Sequence, residues 1–304
     1  MKQGVTCGLL FLLLALAWPA ADAQPLWQVE GEGHRLFLTG SIHLLREEDY
    51  PLPEAFDRAY RAADRLIFET DIAATRTAEF ASAMQRALRL PEGRHLADRL
   101  SADTLERVRQ RLRQMGGSMA AFEGFRPALL ALSLSLMELQ RLGVDAPGVD
   151  ETLFQRARRD GKPIGWLETP QQQIEFIARM GEGEEDALIR QTLDELNSLE
   201  REYQRMVTAW REGDLTALEQ LMLKPMRQQA PGLYRSLIVE RNRLWLPQIE
   251  DLLRDAPLEL IIVGSAHLAG PDGLIAALKQ RGWTITRMEP ASVAAPGSAS
   301  SDSR

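Results

Sequence analysis

The chain has 304 residues, 45% hydrophobic and 26% charged, with a formal net charge of −7 at pH 7. That length is ample for a large packed core, and the acidic balance argues against nucleic acid or an anionic membrane surface as the main partner. One cysteine, Cys7, excludes an intrachain disulfide.

Lys2 followed by the apolar run from Leu9 to Trp18 and by Ala21-Asp22-Ala23 has the order of a signal peptide, predicting cleavage after residue 23 and a mature start at Gln24. The run is too short to span a bilayer. The expected mature chain is therefore periplasmic or secreted, with no stable membrane insertion, and it has no thiol because Cys7 leaves with the leader.

Trp27-Gln28-Val29 and Leu36-Phe37-Leu38 flank Gly31-Glu32-Gly33, which predicts a β-hairpin. Its second strand runs into Gly40-Ser41-Ile42-His43. A helix is predicted over 54–63, then a buried strand over 65–71 that ends in Glu69 and Asp71. Ser101 reads as the N-cap of a helix over 103–115 that stops at Gly116-Gly117. Phe122, Phe125, Leu129, Leu132, Leu136 and Leu139 recur at helical spacing and predict one core-facing stripe ending at Gly143. A helix over 150–159 and a strand over 163–168 follow. Residues 184–254 are charged and helix-forming, interrupted at Gly213-Asp214, where Asp214 offers an N-cap. The last unit is a strand over 258–263, His267, a helix over 273–281 and a strand over 283–288. From 291 the composition is that of a disordered tail.

This order predicts one α/β domain over 24–290. Its mixed central sheet is formed by the N- and C-terminal strand units, with a large helical insert or cap at about 75–160 and 170–255. Side chains at strand ends of such sheets converge on a common crevice.

Two of the four histidines sit in the same context, Gly40-Ser41-Ile42-His43 and Gly264-Ser265-Ala266-His267, each after an apolar strand. A lone histidine reads as structural, whereas a repeated one at strand ends reads as a site, because imidazole serves both as a metal ligand and as a general base. Glu69 is a candidate ligand or proton acceptor; Asp71 fits a helix N-cap or a surface salt bridge better. Glu168 either carries chemistry or merely precedes a helix with Thr169 at its N-cap and Pro170 at N1. Asp150 reads as a helix cap. Arg241-Asn242 could hold a carboxylate or an oxyanion, against a default reading as solvated helix face. Neither serine lies in a Gly-x-Ser-x-Gly elbow, and no His-Glu-x-x-His, Walker or dinucleotide motif is present. The tryptophans read as core.

Together these segments resemble the TraB/GumN family, in its exported GumN-like bacterial branch. The resemblance runs from Leu26-Trp27-Gln28-Val29 and the first Gly-Ser-x-His through Phe68-Glu69-Thr70-Asp71, Gly148-Val149-Asp150, Gly161-Lys162-Pro163 and Leu167-Glu168-Thr169 to Glu240-Arg241-Asn242 and the second Gly-Ser-x-His. It implies a fold related to the erythromycin-esterase and ChaN-like superfamily, a group that includes the metal-dependent Tiki peptidases. By that resemblance His43, Glu69 and His267 would hold a divalent metal (manganese, cobalt or zinc), with Glu168, Arg241 and Asn242 as catalytic companions. Arg126-Pro127-Ala128 departs from the pattern, where an aromatic is expected after the proline. The implied function is an exported metal-dependent hydrolase acting on a peptide or protein. The alternative is a non-catalytic periplasmic protein that binds metal, haem or a partner, with a link to exopolysaccharide production.

Overall fold

The computed structural model describes residues 24–288, so the leader expected at 1–23 and the tail expected at 291–304 lie outside the described residues. Its strands are β1 (Leu26–Gly31), β2 (His34–Ser41), β3 (Leu44–Leu45), β4 (Arg65–Phe68), β5 (Ala146–Pro147), β6 (Ile164–Trp166), β7 (Glu259–Gly264) and β8 (Thr284–Arg287). Six of them form one sheet in the order β6-β4-β7-β2-β1-β8; β3 and β5 make a separate two-stranded pair. Neighbours from β6 to β2 are parallel, and β1 and β8 are antiparallel additions. The chain is thus α/β with a mixed central sheet, and the two Gly-Ser-x-His strands, β2 and β7, lie side by side at its middle.

Alternation fixes the two faces of that sheet. Phe37, Leu66, Phe68, Leu260 and Ile262 pack into one core, and Leu36, Leu38, Ile67, Ile261 and Val263 into another. Covering both faces explains why the parallel strands are apolar almost without interruption.

The N-terminal helices are α1 (Glu54–Ala62), α2 (Ala78–Ala87), α3 (Ala102–Gln114), α4 (Pro127–Arg141), α5 (Val149–Asp160) and α6 (Pro170–Ala178). The charged stretch resolves into α7 (Glu185–Leu196), α8 (Leu199–Arg211), α9 (Leu215–Leu218), α10 (Lys224–Gln229), α11 (Pro231–Tyr234) and α12 (Glu240–Leu252); α13 (Leu274–Gln280) lies between β7 and β8. Ser101, Thr169 and Asp214 cap α3, α6 and α9 through their side chains, as their positions predict. A third core, with Val108, Leu112, Leu130, Leu134, Ile189 and Leu193, holds α3, α4 and α7 together.

Two expectations are corrected. The strand predicted over 65–71 stops at Phe68, and Asp71 instead accepts the N–H groups of Ala73 (2.9 Å) and Ala74 (3.1 Å) in the following turn. The predicted stripe on α4 is not the buried face. Phe122 and Phe125 precede the helix, Leu132 and Leu136 are exposed, and the inward face carries Leu130, Ala131, Leu134 and Glu138. Glu138 is tolerated inside because Arg111 and Arg141 neutralise it at 3.0 and 2.6 Å. A pattern that counts only apolar residues misses a face holding a paired acid.

Candidate active site

Parallel strands deliver their ends to one edge of the sheet. Glu69 follows β4 directly, the Ser265–His267 turn follows β7, and His43 lies two residues past β2. Glu168 comes just after β6, where its backbone N–H donates to the carbonyl oxygen of Glu69 at 2.8 Å. In the register of β2 and β7, Ser41 faces Gly264, which sets the two histidine-bearing segments against each other.

Gly264 is where they converge. A Cβ built there would lie 3.2 Å from Glu69 Oε1, 3.6 Å from His267 Cδ2 and 3.8 Å from His43 Nε2. The two rings therefore share one site, as their repeated context predicts. The cleft they line has a volume of about 290 Å³.

The centre of the site is a guanidinium. Arg241, in the first turn of α12, donates from Nε to Glu168 Oε2 (3.0 Å) and from Nη2 to Glu168 Oε1 (2.8 Å) and Glu69 Oε2 (2.5 Å). Its Nη1 meets His267 Nε2 at 3.1 Å. These contacts engage four of the five N–H donors of a guanidinium, leaving one on Nη1. A π-helical turn, Arg235–Val239, directly precedes α12; such turns concentrate at functional sites. Trp245, one helical turn on, places its ring 4.6 Å from the guanidinium carbon and 4.4 Å from the His267 ring, and donates to Glu168 Oε2 at 3.2 Å.

Asn242 sets the His267 tautomer. Its Nδ2 donates to the carbonyl oxygens of His267 (3.1 Å) and Asp272 (2.8 Å), so its Oδ1 faces His267 Nδ1 at 2.7 Å as an acceptor. Nδ1 then carries the proton and Nε2 presents its lone pair to Arg241. Burial drives the His267 pKa down to about 3, so the ring is neutral. Burial alone would raise the pKa of Glu69, but Arg241 and the N–H of Gly264 (2.6 Å) help hold it at about 2, as a carboxylate. For Glu168, burial outweighs its bonds to Arg241 and pushes the pKa up.

His43 differs. Its side chain is 65% exposed, and its Nδ1 lies 3.2 Å from Asp150 Oδ1. Asp150 is the main cause of a His43 pKa raised to about 9. Asp150 is not the N-cap of α5; Gly148 is, and Asp150 lies in the first turn, turned towards His43. Gly148 makes that approach feasible, because a Cβ on it would fall 2.2 Å from the carbonyl oxygen of Ile42.

The residues expected to hold a divalent metal, His43, Glu69 and His267, are engaged otherwise in this arrangement. Both Glu69 oxygens and His267 Nε2 already have partners, and the Arg241 guanidinium bonds to both side chains, with His267 Nε2 lying 3.9 Å from Glu69 Oε1. Among the described residues, no group of three or more His, Cys, Asp or Glu is placed to hold a metal ion. As positioned, these side chains do not fit one. Glu168, expected as a catalytic companion, is 3% exposed and holds Arg241 through two hydrogen bonds. Asn242 acts on His267 and not on the cleft. Sequence reasoning missed Asp150 as the partner of His43 and Trp245 as the ring packed on Arg241 and His267. The signal for Asp150 was Gly148, two residues before it; Trp245 had none beyond its helical spacing from Arg241.

A model of the TraB/PrgY/gumN family matches residues 25–287. The uncharacterized protein YbaP of Escherichia coli (strain K12) is 29% identical over 261 residues, covering 84% of this chain and 90% of that protein. YbaP of Shigella flexneri is 29% identical over 260 residues, with the same shares of each chain. No solved structure matches.

Proposed function

The chain belongs to the TraB/PrgY/gumN family, and on that premise we propose that it is a hydrolase of carbonyl substrates, first of all a peptidase, in which His43 moves the proton and Arg241 holds the oxygen. The observation that carries this reading is that His43, oriented by Asp150, and the Arg241 guanidinium line one cleft.

In the proposed reaction, Asp150 keeps the proton of neutral His43 on Nδ1, so Nε2 takes a proton from a water as its oxygen bonds to the substrate carbonyl carbon. The carbonyl electron pair moves onto oxygen, where the remaining Nη1–H of Arg241 is available to it. Asp150 stabilises the imidazolium that forms. His43 then gives its proton to the leaving nitrogen as the carbon–nitrogen bond breaks. Glu69, Glu168, His267 and Asn242 hold the guanidinium and are positioning residues. No step runs through a metal. The leader read at 1–23 supports export to the periplasm or beyond, and no helix among the described residues is long and apolar enough to cross a membrane.

The test is a peptide-library digest read by mass spectrometry, run metal-free and with manganese, cobalt or zinc, on the parent protein and on His43→Ala and Asp150→Ala. Metal-free cleavage that both variants lose is the expected result. Absence of cleavage under every condition would overturn the hydrolase reading, and peptide binding without cleavage would favour the binding-protein alternative.

A further inference from the structure

Beyond its polar floor, the cleft changes character. Its walls come from separate parts of the chain: Leu44 on β3, Leu139 on α4, Tyr203 and Met206 on α8, and Met222 in the π-helical turn Glu219–Leu223. Tyr203 is the only wall residue of these with a polar atom on its side chain, and its hydroxyl is already engaged, donating to Asp49 Oδ2 at 2.5 Å. The walls therefore offer an incoming group carbon and sulfur surface only.

We infer that this wall takes a neutral aliphatic side chain of a peptide, on the residue whose carbonyl lies beside His43. The inference rests on the hydrolase reading for where the carbonyl sits, but not for what fills the pocket. A charged or amide side chain would leave water without a partner, which is unfavourable. An aliphatic one gains with every methylene it buries. Two methionines suit unbranched and branched chains alike, because the thioether side chain adapts to irregular shapes.

The experiment compares p-nitroanilides of acetyl-Leu, acetyl-norleucine, acetyl-Asp and acetyl-Lys, with p-nitrophenyl octanoate as the fatty-acyl source of the same chemistry. Binding of the matching acetyl-amino-acid amides is measured by calorimetry alongside. Aliphatic over charged substrates should be favoured by about 10- to 200-fold in kcat/KM, the range a hydrophobic pocket supplies. Met206→Lys should reduce that ratio towards one and raise turnover of the Asp substrate. Met222→Gln provides an independent arm, and circular dichroism checks that each variant folds.

Cleavage with no side-chain preference would overturn the inference and leave the hydrolase standing. Aliphatic amides binding without any cleavage would support the pocket assignment and overturn the hydrolase. Turnover of the octanoate ester alone would overturn the peptide source, and neither binding nor turnover would overturn both readings.

Discussion

Asp150 Oδ1 lies 3.2 Å from His43 Nδ1, across 107 positions of sequence. The contact ties the start of one helix to the loop after a central strand, with the N–H of Val149 donating to the carbonyl oxygen of Ile42 at 3.0 Å beside it. Because Asp150 is the main cause of the raised His43 pKa, Asp150→Asn should move the imidazole from about 9 towards 6.5. The proposed base is the neutral ring, so cleavage should rise with pH as His43 loses its proton, and that rising limb should move to lower pH in the variant. Titration of the His43 ring signals by NMR reads the first effect, and kcat/KM against pH reads the second. An asparagine also mis-sets the tautomer, so the plateau rate should fall by about 10²- to 10⁴-fold.

Arg241 is the cation that lets Glu69 and Glu168 lie buried at adjacent strand ends. Arg241→Ala leaves two carboxyl groups without it, and breaking such a buried pair costs about 3–5 kcal/mol. In the variant the folded-state pKa of Glu69 rises above its unfolded value and that of Glu168, already raised by burial, rises further, so the folded state binds more protons than the unfolded one. Stability is then lost as pH rises. Melting curves should show the gap between variant and parent widening from pH 4.5 to 7.5. Adding Glu69→Gln and Glu168→Gln to Arg241→Ala should remove that widening; if it persists, the carboxylates are not its cause.

The same guanidinium bears on metals. With Nη1 against His267 Nε2 and Nη2 against Glu69 Oε2, a divalent ion on those two ligands would sit beside a fixed positive charge. Dialysis against a chelator should leave both the melting temperature and peptide cleavage unchanged. Calorimetric titration with zinc or manganese should show no stoichiometric binding that depends on His43, Glu69 or His267. A one-to-one complex lost in His267→Ala would overturn this arrangement of the site.

Much of this site was legible because strand ends are marked by residue type. Apolar runs closed by Gly-Ser-x-His and by Glu69 or Glu168 locate the sheet edge, and the repeat implies that the two histidines meet. The division of labour was not legible. His43 and His267 have the same local sequence, yet one is exposed beside Asp150 and the other is buried against Arg241 and Trp245. That difference comes from helices α5 and α12, which approach from distant parts of the chain. On α4 the failure was of another kind: apolar periodicity pointed to Leu132 and Leu136, while the buried face included Glu138, whose burial depends on Arg111 and Arg141.

Gly264 separates function from folding most cleanly. Its backbone, at φ −54° and ψ 137°, is one that alanine adopts freely, so Gly264→Ala brings no conformational strain. The added methyl would stand 3.2 Å from Glu69 Oε1 and 3.8 Å from His43 Nε2, in the space a water and a carbonyl must occupy in the proposed reaction. Only small shifts of the Glu69 carboxylate relieve the closest contact. The expected outcome is a melting temperature within a few degrees of the parent and a loss of kcat/KM of about 100-fold or more, the scale on which misplacing reacting groups acts. Gly148→Ala is the contrasting case: its methyl would meet the backbone of Ile42 and His43 at 2.2 and 2.3 Å, so α5 must move and stability should fall together with activity. Paired melting and kinetic measurements on the two variants decide it. Full activity in Gly264→Ala would place the chemistry somewhere other than between these histidines.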